Sequence, residues 1–344
     1  MLNNGNYPPP PPQTSCVQES KPQINSRVLY IDIARGLAIL GVLYGHFLNI
    51  SPVPQVEDYF LCGFFWSFHM PLFAFASGFF YKHEGFKSCF TKGLKTLIIP
   101  LIIASFFTII PGIVVDLAHY QFHSLRMFLL GQNFPAGYWF IIALFVNKIW
   151  FNAYSKAFSN HLTLALSIVF CVAIYQVYSS LHINSFQISR AIYLIPYMLF
   201  GVIVRKNNLL DILVRNKLIL LVSISFILLA PLFAVNIWEY DYPLGAFNII
   251  TATLITMSVI MICQILERSD FKSIKLINTS LAFCGRHSLM LLFYQALIVH
   301  YANCIPANGS MQFIISSLLL NIVLTVVTVH ILKWYKLWKS QRNV

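Results

Sequence analysis

The sequence predicts an all-α protein, a polytopic integral membrane helical bundle with about ten transmembrane helices and both termini cytoplasmic. Three observations predict this. Of 344 residues, 58% are hydrophobic and only 10% charged, where soluble domains carry about 25% charged residues. Apolar segments of near-spanning length recur along the whole chain. Lysine and arginine gather in alternate connections between them. With a mean hydropathy of +0.71, the chain cannot hide its apolar surface in a water-soluble core of this size, so lipid is the solvent for much of it.

The elements follow in order. Residues 1–26 are polar and contain the run Pro8 to Pro12, which reads as a disordered or polyproline cytoplasmic arm without a signal-peptide pattern. Spanning helices are expected near 28–49, 59–81, 94–115, 138–154, 162–180, 190–204, 218–236, 245–266, 282–302 and 311–332. The fourth and sixth are short for the about 20 residues a span needs. No interior connection is long enough for a soluble domain, the longest being 116–137. The membrane domain therefore occupies 27–335, and 336–344 form a basic cytoplasmic tail.

Orientation follows from the positive-inside rule. With the N-terminus inside, the inner segments hold Lys21, Arg27, Lys82, Lys87, Lys92, Lys95, Lys156, Arg205, Lys206, Arg215, Lys217, Arg268, Lys272, Lys275, Arg286, Lys333, Lys336, Lys339 and Arg342. The outer segments hold only Arg126 and Arg190, while Arg35 and Lys148 fall within helices. The net charge of +12 is thus topological, and no nucleic-acid motif accompanies it. The seven cysteines show no CxxC or paired spacing and read as small buried hydrophobes rather than a metal or disulfide framework.

Ionisable groups inside a membrane are costly and mark function by default. The first helix carries Asp32, Arg35 and His46. Arg35 and His46 are eleven residues apart, which places them on one helix face about 16 Å apart. Arg35 lies toward the cytoplasm and His46 toward the outer side, so a polar cleft along one face of the helix is expected. For Arg35 alone, snorkelling to the inner headgroups beside Asp32 explains the sequence equally well; it does not explain His46. The second helix carries His69 near mid-membrane and Pro71, which frees the carbonyl near Ser67 and kinks the helix. Ser77 and Gly78 allow a neighbouring helix to approach closely.

Asp32-x-x-Arg35-Gly36 with His46, then Phe68-His69-Met70-Pro71-Leu72-Phe73 and Ser77-Gly78-Phe79, resembles the acyltransferase 3 family of integral membrane acyltransferases, closest to its sugar and polysaccharide O-acetyltransferase branch. Tyr138-Trp139-Phe140 through Phe145 looks like that branch's aromatic motif. Gly285-Arg286-His287-Ser288-Leu289 with Phe293-Tyr294 resembles its late motif. The likeness extends over about 27–333. Gln295 stands where members often carry a histidine, and glutamine cannot take a proton. The resemblance implies transfer of an acyl group, usually acetyl, from acetyl-CoA or another acyl-CoA to a hydroxyl of a glycan or lipid-linked sugar. It implies that the residues matching Arg35, His46 and His69 are functional, and these are the catalytic candidates. Asp32, Trp139, Trp238 and Tyr240 are the substrate-binding candidates, the last two for the sugar-friendly composition of 238–242. The physics fits, since an alcohol needs a base near neutral pKa and a phosphate-bearing donor suits arginine. Acyl-CoA is here a substrate, and no bound cofactor is expected. The expected partners are acyl-CoA, the acceptor glycan or lipid-linked sugar and the bilayer, with no nucleic acid. The expected location is the bacterial inner (plasma) membrane.

Two outer segments offer further candidates. Asp116, His119 and His123 share a face if helical, but a solvated polar face shows the same spacing as a metal site. Trp238-Glu239-Tyr240-Asp241-Tyr242 suits sugar stacking, and an interfacial aromatic belt explains it as well. A proton-coupled transporter and a lipid-modifying acyltransferase remain as alternative functions. Against the transporter, the sequence suggests no internal repeat and no pair of broken helices in its two halves.

Overall fold

The computed structural model describes residues 28–51, 56–107, 138–154, 161–180, 188–233, 247–300, 302, 305 and 309–342. All secondary structure among them is helical, as lipid demands of a chain that cannot close a barrel: each helix satisfies its own backbone polar groups. The helices are α1 (Leu29–Asn49), α2 (Val56–Trp66), α3 (His69–Phe79), α4 (Phe86–Phe107), α5 (Trp139–Tyr154), α6 (His161–Ser180), α7 (Ile188–Lys206), α8 (Leu209–Arg215), α9 (Lys217–Leu228), α10 (Phe247–Glu267), α11 (Lys272–Arg286), α12 (Ser288–His300) and α13 (Ser310–Arg342).

Each of the ten expected spans falls on one or more of these helices. Among the described residues, five helices are long and apolar enough to cross a membrane: Leu29–Asn49, Phe60–Phe79, Phe86–Phe107, Phe247–Glu267 and Ser310–Trp338. The bent pair α11–α12 makes a sixth if it counts as one span. α5 and α9 are apolar but shorter, as is the Ala165–Ile174 stretch of α6. α13 continues as helix through most of the expected tail, to Arg342.

α1 is the hub. Its apolar window is 78% buried, against 17% for α4 and 28% for α13. It packs on α2, α3, α10, α11, α12 and α13, most extensively on α11. Helices in lipid gain little from apolar burial against one another, so close backbone packing carries the association. Gly36 and Gly285 provide it here. A Cβ on Gly36 would run into the Leu281 carbonyl, and one on Gly285 into the Asp32 carbonyl. The expected close approach at Gly78 is also present, against the Met198 backbone of α7. α13 is built inside out: Met311, Ile315, Leu319, Val323, Val327 and Ile331 repeat every four residues on its exposed face. Ser317, Asn321 and Thr325 are buried on the other.

Two helix breaks matter for the site. The expected span 59–81 divides at Ser67–Phe68, between α2 and α3. Pro71 has no N–H to offer the Ser67 carbonyl, which explains the interruption there. The second break corrects the sequence reading. The expected span 282–302 is interrupted at His287, where α11 and α12 meet at 75°. The stretch before 282, read as an inner loop with Lys272 and Lys275, is instead helical and packs on α1. The chain thus has a broken helix in each half, contrary to expectation.

Candidate active site

Arg35, Ile39, Val42 and His46 form one stripe along α1, and all four line a single cavity of about 300 Å³. The cavity is closed by Met70, Phe73, Ala76, Ser77 and Phe80 from α3 and its end, Leu97 from α4, Phe140, Ile141 and Leu144 from α5, and Ser288, Leu289 and Leu292 from α12. Leu97 belongs to a π-helical turn, Leu94–Ile98, inserted in α4; such turns re-aim side chains and recur at functional sites. The cavity is mainly apolar with a few polar groups spaced along it, the usual make-up of a small-molecule site.

Arg35 is anchored at one end of the cavity. Nη1 lies 3.7 Å from Asp32 Oδ1, and Nη2 donates to Ser288 Oγ at 3.2 Å. Its side chain remains 30% exposed. Asp32, a substrate-binding candidate, is 8% exposed and is placed as a partner of Arg35 rather than on the cavity wall. A cleft from Arg35 to His46 is therefore present, and Arg35 lines it.

His69 sits beside this cavity, not on its wall. Its Nδ1 lies 2.7 Å from the Phe65 carbonyl oxygen. A carbonyl only accepts, so Nδ1 carries the proton and Nε2 is the basic nitrogen of the neutral ring. The helix break sets this up, since His69 is the first residue of α3 and reaches back to the end of α2. His69 is buried and within electrostatic reach of His46.

The aromatic motif contributes through a different residue than expected. Trp139 is buried and off the wall, with the Arg190 guanidinium 5.5 Å from its ring centroid. Phe140 faces the cavity in its place. Arg190, read as an outer-loop cation, is itself buried in α7. Trp238, Tyr240, Asp116, His119 and His123 lie outside the described residues. Gln295 is buried, and among the described residues its Oε1 has no hydrogen-bond partner. Its neighbour Tyr294 bonds through its hydroxyl to Thr328 of α13. Sequence reasoning missed Ser288 as a site residue; its only signal was membership of the late motif.

Compared with known proteins, residues 28–332 match the family model Acyl_transf_3, described as an acyltransferase domain. The chain belongs to the acyltransferase 3 family. No curated protein and no solved structure matches it. The match takes in every element that builds the cavity. Membership makes the protein a membrane acyltransferase and agrees with its apolar helices. Within this acyltransferase 3 domain, the motifs at both ends of the chain meet in one place, where Arg35 touches Ser288.

Proposed function

We propose that the protein is an O-acyltransferase that moves an acyl group, acetyl in the first instance, from acyl-CoA to a hydroxyl of a surface polysaccharide or lipid-linked sugar. The observation that carries this reading is the single cavity that holds the Arg35 guanidinium at one end and the His46 imidazole at the other. The separation of about 16 Å along the helix suits a long donor whose charged part and reacting carbon are far apart.

In this reading Arg35, oriented by Asp32 and Ser288, makes charge-assisted contacts to the phosphate-bearing donor. His46 accepts the proton of the acceptor hydroxyl as its oxygen attacks the thioester carbonyl. The carbon–sulfur bond breaks, the CoA thiolate leaves, and His46 returns the proton to it. Atoms and charge balance with no further reactant. His69, behind the wall with its tautomer fixed by Phe65, supports His46 rather than facing the acceptor. Trp238 and Tyr240 remain the proposed acceptor contacts. Ten spans and cytoplasmic termini, supported by the distribution of lysine and arginine, complete the proposal, with the bacterial inner membrane as the proposed location.

The test is transfer of labelled acetyl from acetyl-CoA by purified protein in liposomes, with candidate glycans as acceptors. Label appearing on glycan, dependent on both substrates, is the expected result; free CoA without acylated product, or no turnover from any acyl-CoA, refutes it. One observation favours a second reading, a proton-coupled carrier. The breaks at Ser67–Phe68 and His287 both abut the cavity, and carriers build their midplane sites from broken helices. Uptake of a labelled solute into liposomes without acyl transfer would select that reading.

A further inference from the structure

We propose that Ser288 is a positioning residue that sets the orientation of the Arg35 guanidinium, an inference resting on the acyl-CoA reading above. Arg35 is held from two sides. Asp32 is its neighbour one turn earlier on α1, 3.7 Å from Nη1. Ser288 comes from a helix 253 residues later in the chain and accepts from Nη2 at 3.2 Å. An anchor on its own helix alone leaves a guanidinium free to swing toward the inner headgroups. A second anchor in the cavity wall fixes the plane of the fork, and that plane decides which phosphate or carbonyl geometry it can match.

The backbone shows how Ser288 reaches that place. α1 and α11 pack antiparallel, with Gly36 against Leu281 and Gly285 against Asp32. In that register a straight continuation of α11 would carry Ser288 opposite Leu29, six residues and about 9 Å from Arg35. The chain bends by 75° at His287, immediately before Ser288, and the Arg35 side chain, directed toward the N-terminus of α1, meets Ser288 at that elbow. Ser288 is the first residue of α12 and only 8% exposed, so little freedom remains for its hydroxyl. The two glycines fix the register, and the contact forms at the elbow that follows it.

The test is a double-mutant cycle on the full-length protein in liposomes, reading kcat and KM for acetyl-CoA. Ser288→Ala should raise KM roughly tenfold, from loss of one charge-assisted hydrogen bond, with kcat within about twofold. Ser288→Thr, which keeps the hydroxyl, should stay within about threefold of wild type. In the Arg35→Lys background, Ser288→Ala should add nothing, because the partner nitrogen is already gone. Should the alanine variant fail to insert, Ser288→Cys provides the same comparison with a poor acceptor. An unchanged KM, or equal losses in both backgrounds with an active wild type, overturns the role of Ser288 alone. Absence of transfer by the wild type from any acyl-CoA overturns the reading beneath it as well.

Discussion

Replacing His46 by alanine separates the two ends of the cavity. His46 lies on the wall eleven residues beyond Arg35, about 16 Å along the helix, so its removal leaves the contacts of Arg35 with Asp32 and Ser288 untouched. A positioned general base contributes ~10²–10⁴-fold, which corresponds to about 2.7–5.4 kcal/mol of barrier. The loss should fall on kcat, with KM for acetyl-CoA within about threefold of wild type. The assay is labelled-acetyl transfer to glycan in liposomes at matched protein content, over a range of acetyl-CoA. His69→Ala is the companion variant. It removes the bond to the Phe65 carbonyl, so it should also lower the thermal midpoint, which His46→Ala should not. Near wild-type kcat in the His46 variant, with normal insertion, refutes the placement of the chemistry at this end of the cavity.

The remaining predictions follow from other contacts. Arg35→Lys should lose about 10–100-fold in kcat/KM for acetyl-CoA, because one ammonium cannot reach both Asp32 and Ser288 as the planar fork does; wild-type kinetics would assign Arg35 to membrane anchoring. Gly285→Val must push α11 off the Asp32 carbonyl, at a cost of about 1–3 kcal/mol, and should lower both melting temperature and activity. Gly85→Val, with open space around it, is the neutral control, and equal behaviour of the two would refute the close crossing. Between the spans Phe60–Phe79 and Phe86–Phe107, the Glu84 carboxyl lies 2.7 Å from the Lys92 ammonium, which holds it below its ordinary pKa with help from Ser88. A lowered folded pKa gives a contribution that is present at neutral pH and lost as pH falls through that lowered value. Lys92→Met should therefore differ from wild type in thermal midpoint at pH 7 and converge with it in acid; a gap that persists in acid would refute the pairing.

Much of the site was legible because it lies within single helices. A residue step of 100° puts Arg35, Ile39, Val42 and His46 on one face whatever surrounds them, and the cavity runs along that face. The break at Ser67–Phe68 was legible because Pro71 names the carbonyl it leaves unbonded. The break at His287 carried no such mark. Gly285-Arg286-His287-Ser288 interrupts the apolar run from Leu281 to His300 with polar residues, but no proline there names an unbonded carbonyl. Trp139 was named from the aromatic motif it shares with Phe140, and a motif match does not say which of two adjacent aromatics faces the cavity. The contact between Arg35 and Ser288 joins opposite ends of the chain, and no pattern local to either helix encodes it.

The two breaks nevertheless share one physical cause. Irregular backbone at membrane depth is tolerated only where protein buries it or where it borders a cavity. Met70 and Phe73 follow the first break, Ser288 and Leu289 the second, and all four line the same cavity. The interruptions are therefore part of how the wall is made: the residues that follow each one line the cavity, and the second also bends the chain by 75°. What differs between a carrier and an acyltransferase is whether the wall must come apart. A carrier that alternated by moving α1 against the α11–α12 elbow would have to separate that junction, or pivot around it, in every cycle. Here that junction is closed by backbone contact at Gly36 and Gly285 and tied across by Arg35 and Ser288. Such a junction favours a fixed site that substrates enter from either side over one that opens alternately.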